Sequence, residues 1–424
     1  MFRSLRPWLH RRRYPLRYAQ LEILLRNQAL SREELLCKQQ ADFAEIVAFA
    51  AANTAYYAET LAGRQAADLP ILEKDAVRER LDDFLAREAD RSQVKIGHTG
   101  GSTGKPLAFW YDEAKHELMR AGMMRGFMMS GWRPGQKVLN FWGARQDVAA
   151  GGVFGSNWSD LIAAEKTLGA TEFSEAKLHA WARFIQRYRP VLLYGYASAM
   201  SELARFVIAG KMTMPRGLIG VYSTAEVLTD TQRGLMQQAF GCKVFNQYGC
   251  REVPNIAWEC RHGNMHVFAD LVYLESVKLD AEDRLLVTSL TNRLMPFIRY
   301  DIGDSGRLLA GECACGSPFP LLEMGLCRQN DLIRSRAGKR IHPGFFNHLL
   351  NGQKQIRQYQ WVQREFDRIT LNLVAAEKLS AETLAALSAN IRCMMETEIA
   401  LEVNYLDEIP RTLSGKHRFV IGMT

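Results

Sequence analysis

An α/β fold, with a large N-terminal domain and a small α+β C-terminal domain, is predicted by three observations. Short β-branched or aromatic runs alternate with helical stretches from about residue 65 onward. The stretch 267–325 then turns rich in strand signals. After about residue 327 two extended runs precede one amphipathic helix and a last strand. The expected division is a basic arm over 1–18, a large domain over 19–326 and a mobile small domain over 327–424.

Residues 19–60 read as helical, because Leu21, Leu24, Leu25, Leu35, Phe43, Ile46, Val47 and Phe49 recur on helical faces. Ser31 followed by Glu34 forms a capping-box start. Strands are expected at 137–141, 191–194, 217–222 and 243–246, alternating with helices near 112–130, 175–188, 197–210 and 229–239. That order implies a largely parallel sheet with right-handed crossovers. Further strands are expected at 285–289, 297–300 and 307–309. In the small domain, runs at 355–362 and 368–374 lead to a helix capped by Ser380, with Leu384, Leu387, Ile391, Met395 and Ile399 on one face. A strand at 401–406 closes the order.

The 424 residues carry 54 Lys plus Arg against 46 Asp plus Glu, a formal charge of +8. The first seventeen residues hold Arg3, Arg6, Arg11, Arg12, Arg13 and Arg17 and no acid, so six of the eight charges belong to the arm. The body is close to neutral, which excludes a broadly basic nucleic-acid surface. The arm is expected to be a solvated, partly ordered appendage. No run approaches the length of a membrane helix and no secretory apolar stretch is present, so a cytoplasmic protein without a transmembrane segment is expected. Eight cysteines in such a chain argue against a disulfide framework.

The segment His98–Pro106, HTGGSTGKP, puts three glycines, hydroxyls and a lysine after a short strand at 93–96. Such a loop wraps phosphate with backbone N–H groups and one cation. It is no Walker A loop, since Thr99 stands where a glycine is required and Pro106 follows Lys105, and the dinucleotide spacing GxGxxG is absent. Cys260 and His266 in CRHGNMH, with Cys313 and Cys315 in CACG, supply three thiolates and an imidazole. They suit a tetrahedral structural zinc. His262 is the alternative imidazole.

Taken in order, these and further segments resemble the adenylate-forming superfamily of acyl-CoA synthetases, in particular its phenylacetate-CoA ligase and CapK-like branch, from about residue 31 to 420. The resemblance implies a large adenylate-forming domain with a C-terminal lid, and ATP, Mg²⁺ and coenzyme A as cofactors and co-substrate. The first loop looks like the family's TSGSTGKP, which assigns Thr99, Ser102, Thr103, Gly104 and Lys105 to the ATP phosphates. Gly100 replaces a hydroxyl there. STAEVLT (Ser223–Thr229) resembles the GAEPLT segment and implies Ala225 and Glu226 at the adenine edge, although Glu226 also suits a cap on the following helix. NQYGCRE resembles the YGxTE motif. It implies Tyr248 and Gly249 at adenine and Glu252 on Mg²⁺, with Arg251 in place of threonine, able to pair with the α-phosphate.

RYDIGD resembles RYRTGD and implies Asp304 on the ribose hydroxyls, with Asp301 where the family has arginine. Arg328 would reach ribose or phosphate, with Asn330 as the hinge. PRTLSGK resembles the C-terminal lysine loop, which makes Lys416 catalytic. Some relatives carry zinc in a similar arrangement of ligands. The implied function is ATP-dependent activation of a carboxylic acid, aryl by analogy, with transfer to a thiol, coenzyme A first. Phe141, Trp142, Tyr194, Tyr196 and Tyr222 would line the acid's pocket. Two rivals stand beside it: transfer to a carrier-protein thiol, an amine or a sugar amine, and a non-catalytic zinc-bearing module. The sequence leaves monomer or homodimer open.

Overall fold

A computed structural model describes residues 2–61, 63, 64, 68–99, 107–142, 164–170, 174–279, 282–328, 333–336, 340, 341, 345, 346, 349, 350, 353, 355–410 and 417–423. The chain opens with helices α1 (Phe2–Arg13), α2 (Pro15–Gln28), α3 (Arg32–Asn53), α4 (Ala55–Thr60) and α5 (Lys74–Glu79). Ser31 and Glu34 make the reciprocal bonds of a capping box at the start of α3. The basic stretch is helical, and its last arginine belongs to the body. Arg17 forms a bidentate ion pair at 2.9 Å with Glu117, both nearly buried. Burial pushes His10 down to about 4, so the neutral ring shares a hydrogen bond with Tyr18 Oη at 2.9 Å. The appendage expected over 1–18 is therefore corrected. An arginine run is solvated by default, but a carboxylate a hundred residues away draws this one inside.

A hairpin of β1 (Lys95–His98) and β2 (Ala108–Tyr111) precedes α6 (Glu113–Met128). There follow β3 (Val138–Trp142), β4 (Glu165–Gly169), α7 (Glu175–Tyr188), β5 (Leu192–Tyr196), α8 (Ala197–Ala209), β6 (Gly220–Thr224), α9 (Asp230–Phe240) and β7 (Lys243–Tyr248). β3 to β7 form the expected parallel sheet, each strand reached by a crossover. Antiparallel β8 (Ala257–Glu259), β9 (Met265–Val267), β10 (Val272–Leu279), β11 (Glu282–Ser289), β12 (Tyr300–Leu309) and β13 (Leu321–Arg328) extend it. The order is β10-β11-β12-β13-β9-β8-β7-β6-β5-β3-β4. Residues 297–299 are not strand, and the strand expected at 307–309 is the end of a longer one, β12, which starts at Tyr300 and runs through Gly303 at φ +81°.

Helices α7, α8 and α9 cover the parallel strands with Trp181, Ile185, Met200, Leu203, Met236 and Phe240. Helix α6 comes closer. A Cβ on Gly126 would stand 2.2 Å from the Trp258 ring and one on Gly122 2.5 Å from Asn255, so only glycine permits the approach. Arg125, between them, is wholly buried and paired with Asp270 by two bonds of 2.7 and 2.8 Å.

The chain divides into two compact units. The second is made chiefly of residues 324–412 and 416–424. Within it, β16 (Ile356–Glu365), β17 (Arg368–Ala375), β18 (Ala400–Tyr405) and β19 (Val420–Ile421) form a sheet in the order β18-β17-β16-β19. A short pair, β14 (Ile333–Arg334) and β15 (Arg340–Ile341), precedes them. Helix α10 (Ala381–Met395), capped by Ser380 as expected, contributes Leu387, Ile391 and Met395 to a core around Trp361 and Leu371.

Asp270→Asn leaves the Arg125 guanidinium buried without its counter-charge. We expect the unfolding free energy in urea to drop by about 3–5 kcal/mol; a loss below about 1 kcal/mol would show that the pair is solvated.

Candidate functional site

Parallel strands β6 and β7 are hydrogen-bonded neighbours, with Ser223 opposite Asn246 and Thr224 opposite Gln247. The turns leaving their carboxyl ends are consequently side by side, where ligands of open α/β sheets sit. The first turn carries Ala225, held at φ +65°, and Glu226. The Glu226 carboxylate accepts from the backbone N–H of Ser198 at 2.7 Å and from its hydroxyl at 2.9 Å, which places it at the N-terminus of α8. The following helix, α9, has its own capping box from Thr229 and Gln232, so the expected cap is made on the preceding helix instead.

The second turn carries Tyr248, half-buried at the end of β7, then Gly249. A Cβ at Gly249 would lie 2.9 Å from the Asn255 nitrogen. Arg251 Nη1 donates to the His98 carbonyl at 2.8 Å. Glu252 is buried, and its Oε1 accepts from Tyr300 Oη at 2.9 Å. Burial and the adjacent Glu252 carboxylate push the Tyr300 phenol far above its ordinary range, so it remains a donor. Lys115, near the start of α6, donates to the Glu252 carbonyl at 2.9 Å. Neither Tyr300 nor Lys115 is legible in the sequence as a partner of this turn, since each pairing spans a long separation along the chain.

His98 ends β1. Thr99 then closes the hairpin, its N–H donating to Leu107 O at 2.8 Å and its hydroxyl accepting from Leu107 N–H at 2.9 Å. Arg251 thus ties the Tyr248–Glu252 turn to the neck of the glycine loop. Ser102, Thr103, Gly104 and Lys105 lie outside the described residues, as do Gly100, Asn330 and Lys416. Arg328 ends β13, its side chain outside the description. Asp304 is buried on β12, one residue past Gly303. Asp301 is ion-paired with Arg284, which accounts for a carboxylate at that position.

The aromatic residues divide. Phe141 packs edge-on against Trp181 in the core, Tyr196 joins the same core, and Tyr222 is fully buried with its hydroxyl on Gly126 O. These three are framework, not pocket lining, which corrects the expectation. Strand alternation alone did not distinguish them from Trp142 and Tyr194, which stack at 5.9 Å.

A second constellation lies beside β9. Donor atoms of Cys260, His266, Cys313 and Cys315 are all within 4.8 Å of one another. The Sγ atoms of Cys260 and Cys313 are 3.7 Å apart, and Cys315 Sγ lies 3.3 Å from His266 Nε2. Bonds of about 2.3 Å to a tetrahedral centre give edges of about 3.8 Å, so the donor set fits zinc. His266 Nδ1 faces Phe319 O at 3.3 Å, which aims Nε2 at the thiols. His262 is exposed and contributes only its backbone N–H to Cys260 Sγ at 3.3 Å, so His266 is the imidazole of the cluster.

Comparison with known proteins follows the geometry. Residues 333–422 match the family model of the CapK C-terminal domain. Protein CapK of Staphylococcus aureus is 24% identical over 400 residues, covering 90% of this chain and 88% of that protein. A phenylacetate-coenzyme A ligase of Thermus thermophilus is 25% identical over 347 residues, 74% of this chain and 75% of the ligase. The crystal structure of 2-hydroxyisobutyryl-CoA ligase in the postadenylation state superposes with a TM-score of 0.71 at 19% identity, over 94% of this chain and 91% of that one.

Tyr300→Phe removes the donor to a buried Glu252 oxygen. We expect a stability loss of about 1–3 kcal/mol in urea unfolding; an unchanged midpoint would mean that water replaces the phenol.

Proposed function

We propose that this chain, a homologue of CapK and the phenylacetate-CoA ligases with the fold of the adenylate-forming CoA ligases, activates a carboxylic acid with ATP and passes the acyl group to a thiol, coenzyme A first. It is an adenylate-forming ligase. The observation that carries the reading is the meeting of three segments: the Ala225–Glu226 turn, the Tyr248–Glu252 turn and the neck of the glycine loop, the last two joined by the Arg251–His98 bond. In the first half-reaction a substrate carboxylate oxygen attacks the α-phosphorus and pyrophosphate leaves. In the second a thiol sulfur attacks the acyl carbon, AMP leaves and the thiol proton passes to solvent.

Tyr248 offers a half-buried ring to the purine. Asp304 would accept the ribose hydroxyls, with Arg328 beside ribose or phosphate. Glu252, held by Tyr300, would ligate a Mg²⁺ ion, which would supply positive charge against the phosphates. Ser102, Thr103, Gly104 and Lys105 would cradle the β- and γ-phosphates, and Thr99 acts through the neck. Arg251, bonded to the His98 carbonyl, would present its guanidinium to the α-phosphate. Lys416 would neutralise charge developing at that phosphate from the C-terminal unit, hinged at Asn330. Catalysis is chiefly positioning and electrostatics, since the carboxylate is already a nucleophile.

The match of residues 333–422 to the CapK C-terminal domain favours a second reading, in which a carrier-protein thiol, an amine or a sugar amine takes the acyl group. ATP–pyrophosphate exchange across aryl, fatty and hydroxy acids, followed by a thioester assay with coenzyme A, separates the two. Exchange without thioester favours the second reading, and no exchange with any acid overturns both. Lys416→Ala should slow exchange by about 10²–10³-fold; an unaltered rate removes the lysine from the mechanism.

Cys260, His266, Cys313 and Cys315 would hold a structural zinc, all four positions being filled by protein. Purified protein should contain one zinc per chain by elemental analysis, and Cys313→Ser should lower both the metal content and Tm. A metal-free protein whose Cys313→Ser variant melts with the parent overturns the assignment.

A further inference from the structure

Helices α1 and α2 carry an unusual surface. Among the described residues, eight large hydrophobic side chains are exposed, and four of them, Trp8, Leu9, Leu16 and Ile23, fall within sixteen consecutive positions of these two helices. At 100° per residue, Trp8, Leu9, Arg12 and Arg13 share one 140° arc of α1, and all four are exposed. Arg12 lies over the Trp8 ring at 5.5 Å. Leu16 and Ile23, seven residues apart, share the outer face of α2.

The opposite side of α1 is anchored. His10 is bonded to Tyr18, Arg11 is ion-paired with Glu22 on α2, and Pro7 packs so closely on Gly135 that a Cβ there would stand 2.8 Å from its ring. The outward arc is thus presented by a seated helix.

We propose that this face docks on an anionic lipid bilayer. Helix α1 carries five arginines and no acid, and the apolar groups between them include a tryptophan, which favours the headgroup level. Lipid phosphates answer the arginines while Trp8 and Leu9 enter the acyl boundary, and neither term alone holds a protein to a bilayer. Nucleic acid would satisfy the charges and leave Trp8, Leu9, Leu16 and Ile23 in water. Self-association through this face would set Arg12 and Arg13 of two copies against each other. No helix among the described residues is long and apolar enough to cross a membrane, so contact is at the surface.

The test is flotation of the full chain with phosphatidylcholine vesicles and with mixed phosphatidylglycerol and phosphatidylcholine vesicles, at low and high salt. Binding is expected to the mixed vesicles only and to weaken with salt. Arg12→Glu with Arg13→Glu should reduce partitioning by about tenfold or more, Trp8→Ser with Leu9→Ser should reduce it severalfold, and Arg12→Lys with Arg13→Lys should retain it. All substituted side chains are exposed, and an unchanged urea midpoint certifies each variant as folded. Equal binding to neutral vesicles, indifference to both disruptive pairs, or capture of a short DNA duplex without capture of vesicles overturns the proposal.

Discussion

The buried pair of Arg125 and Asp270 is the constraint around which the large unit is organised. Its guanidinium meets the Asp270 carboxylate through two nitrogens, bonds the Leu24 carbonyl of α2 at 3.1 Å, and lies 3.9 Å from the Phe268 ring centre and 5.0 Å from that of Phe319. Asn27 supplies a further donor to Asp270. One arginine thereby fixes α2, α6, the approach to β10 and the approach to β13. Desolvating two charges is costly; Asp270 is answered by both Arg125 Nη atoms and by Asn27, while the buried Arg125 Nε has no hydrogen-bond partner among the described residues. The value of the pair is one of register. Gly122 and Gly126 bring α6 against the sheet at a separation a larger residue would forbid, and Arg125 accepts only one depth of seating.

That seating serves both ends of α6. Near its start, Lys115 supports the carbonyl of Glu252; just past its end, Met129 packs against Cys260 and Cys313. The Tyr248–Glu252 turn and the cysteine cluster share one mechanical support.

Much of this was legible in sequence where the signal was local. Caps at Ser31 and Ser380, the strand–helix alternation and the spacing within each cysteine segment depend on residues within a few positions of one another, and the structure has them nearly in place. The failures were non-local. Arg17 looked solvated because Glu117 is a hundred residues away. Phe141 and Tyr222 looked available because a strand residue's facing depends on which helix covers the sheet. His266, preferred from the sequence with His262 as the alternative, is the buried imidazole on β9 beside Cys315, while His262 lies exposed in the preceding turn.

Helix α6, at 16 residues and 1.5 Å per residue, is a strut of about 24 Å. A strut with one foot at each site conveys stiffness and no chemistry. Any change in how α6 seats on the sheet is therefore felt at both feet together, at the Glu252 carbonyl and beside Cys260 and Cys313.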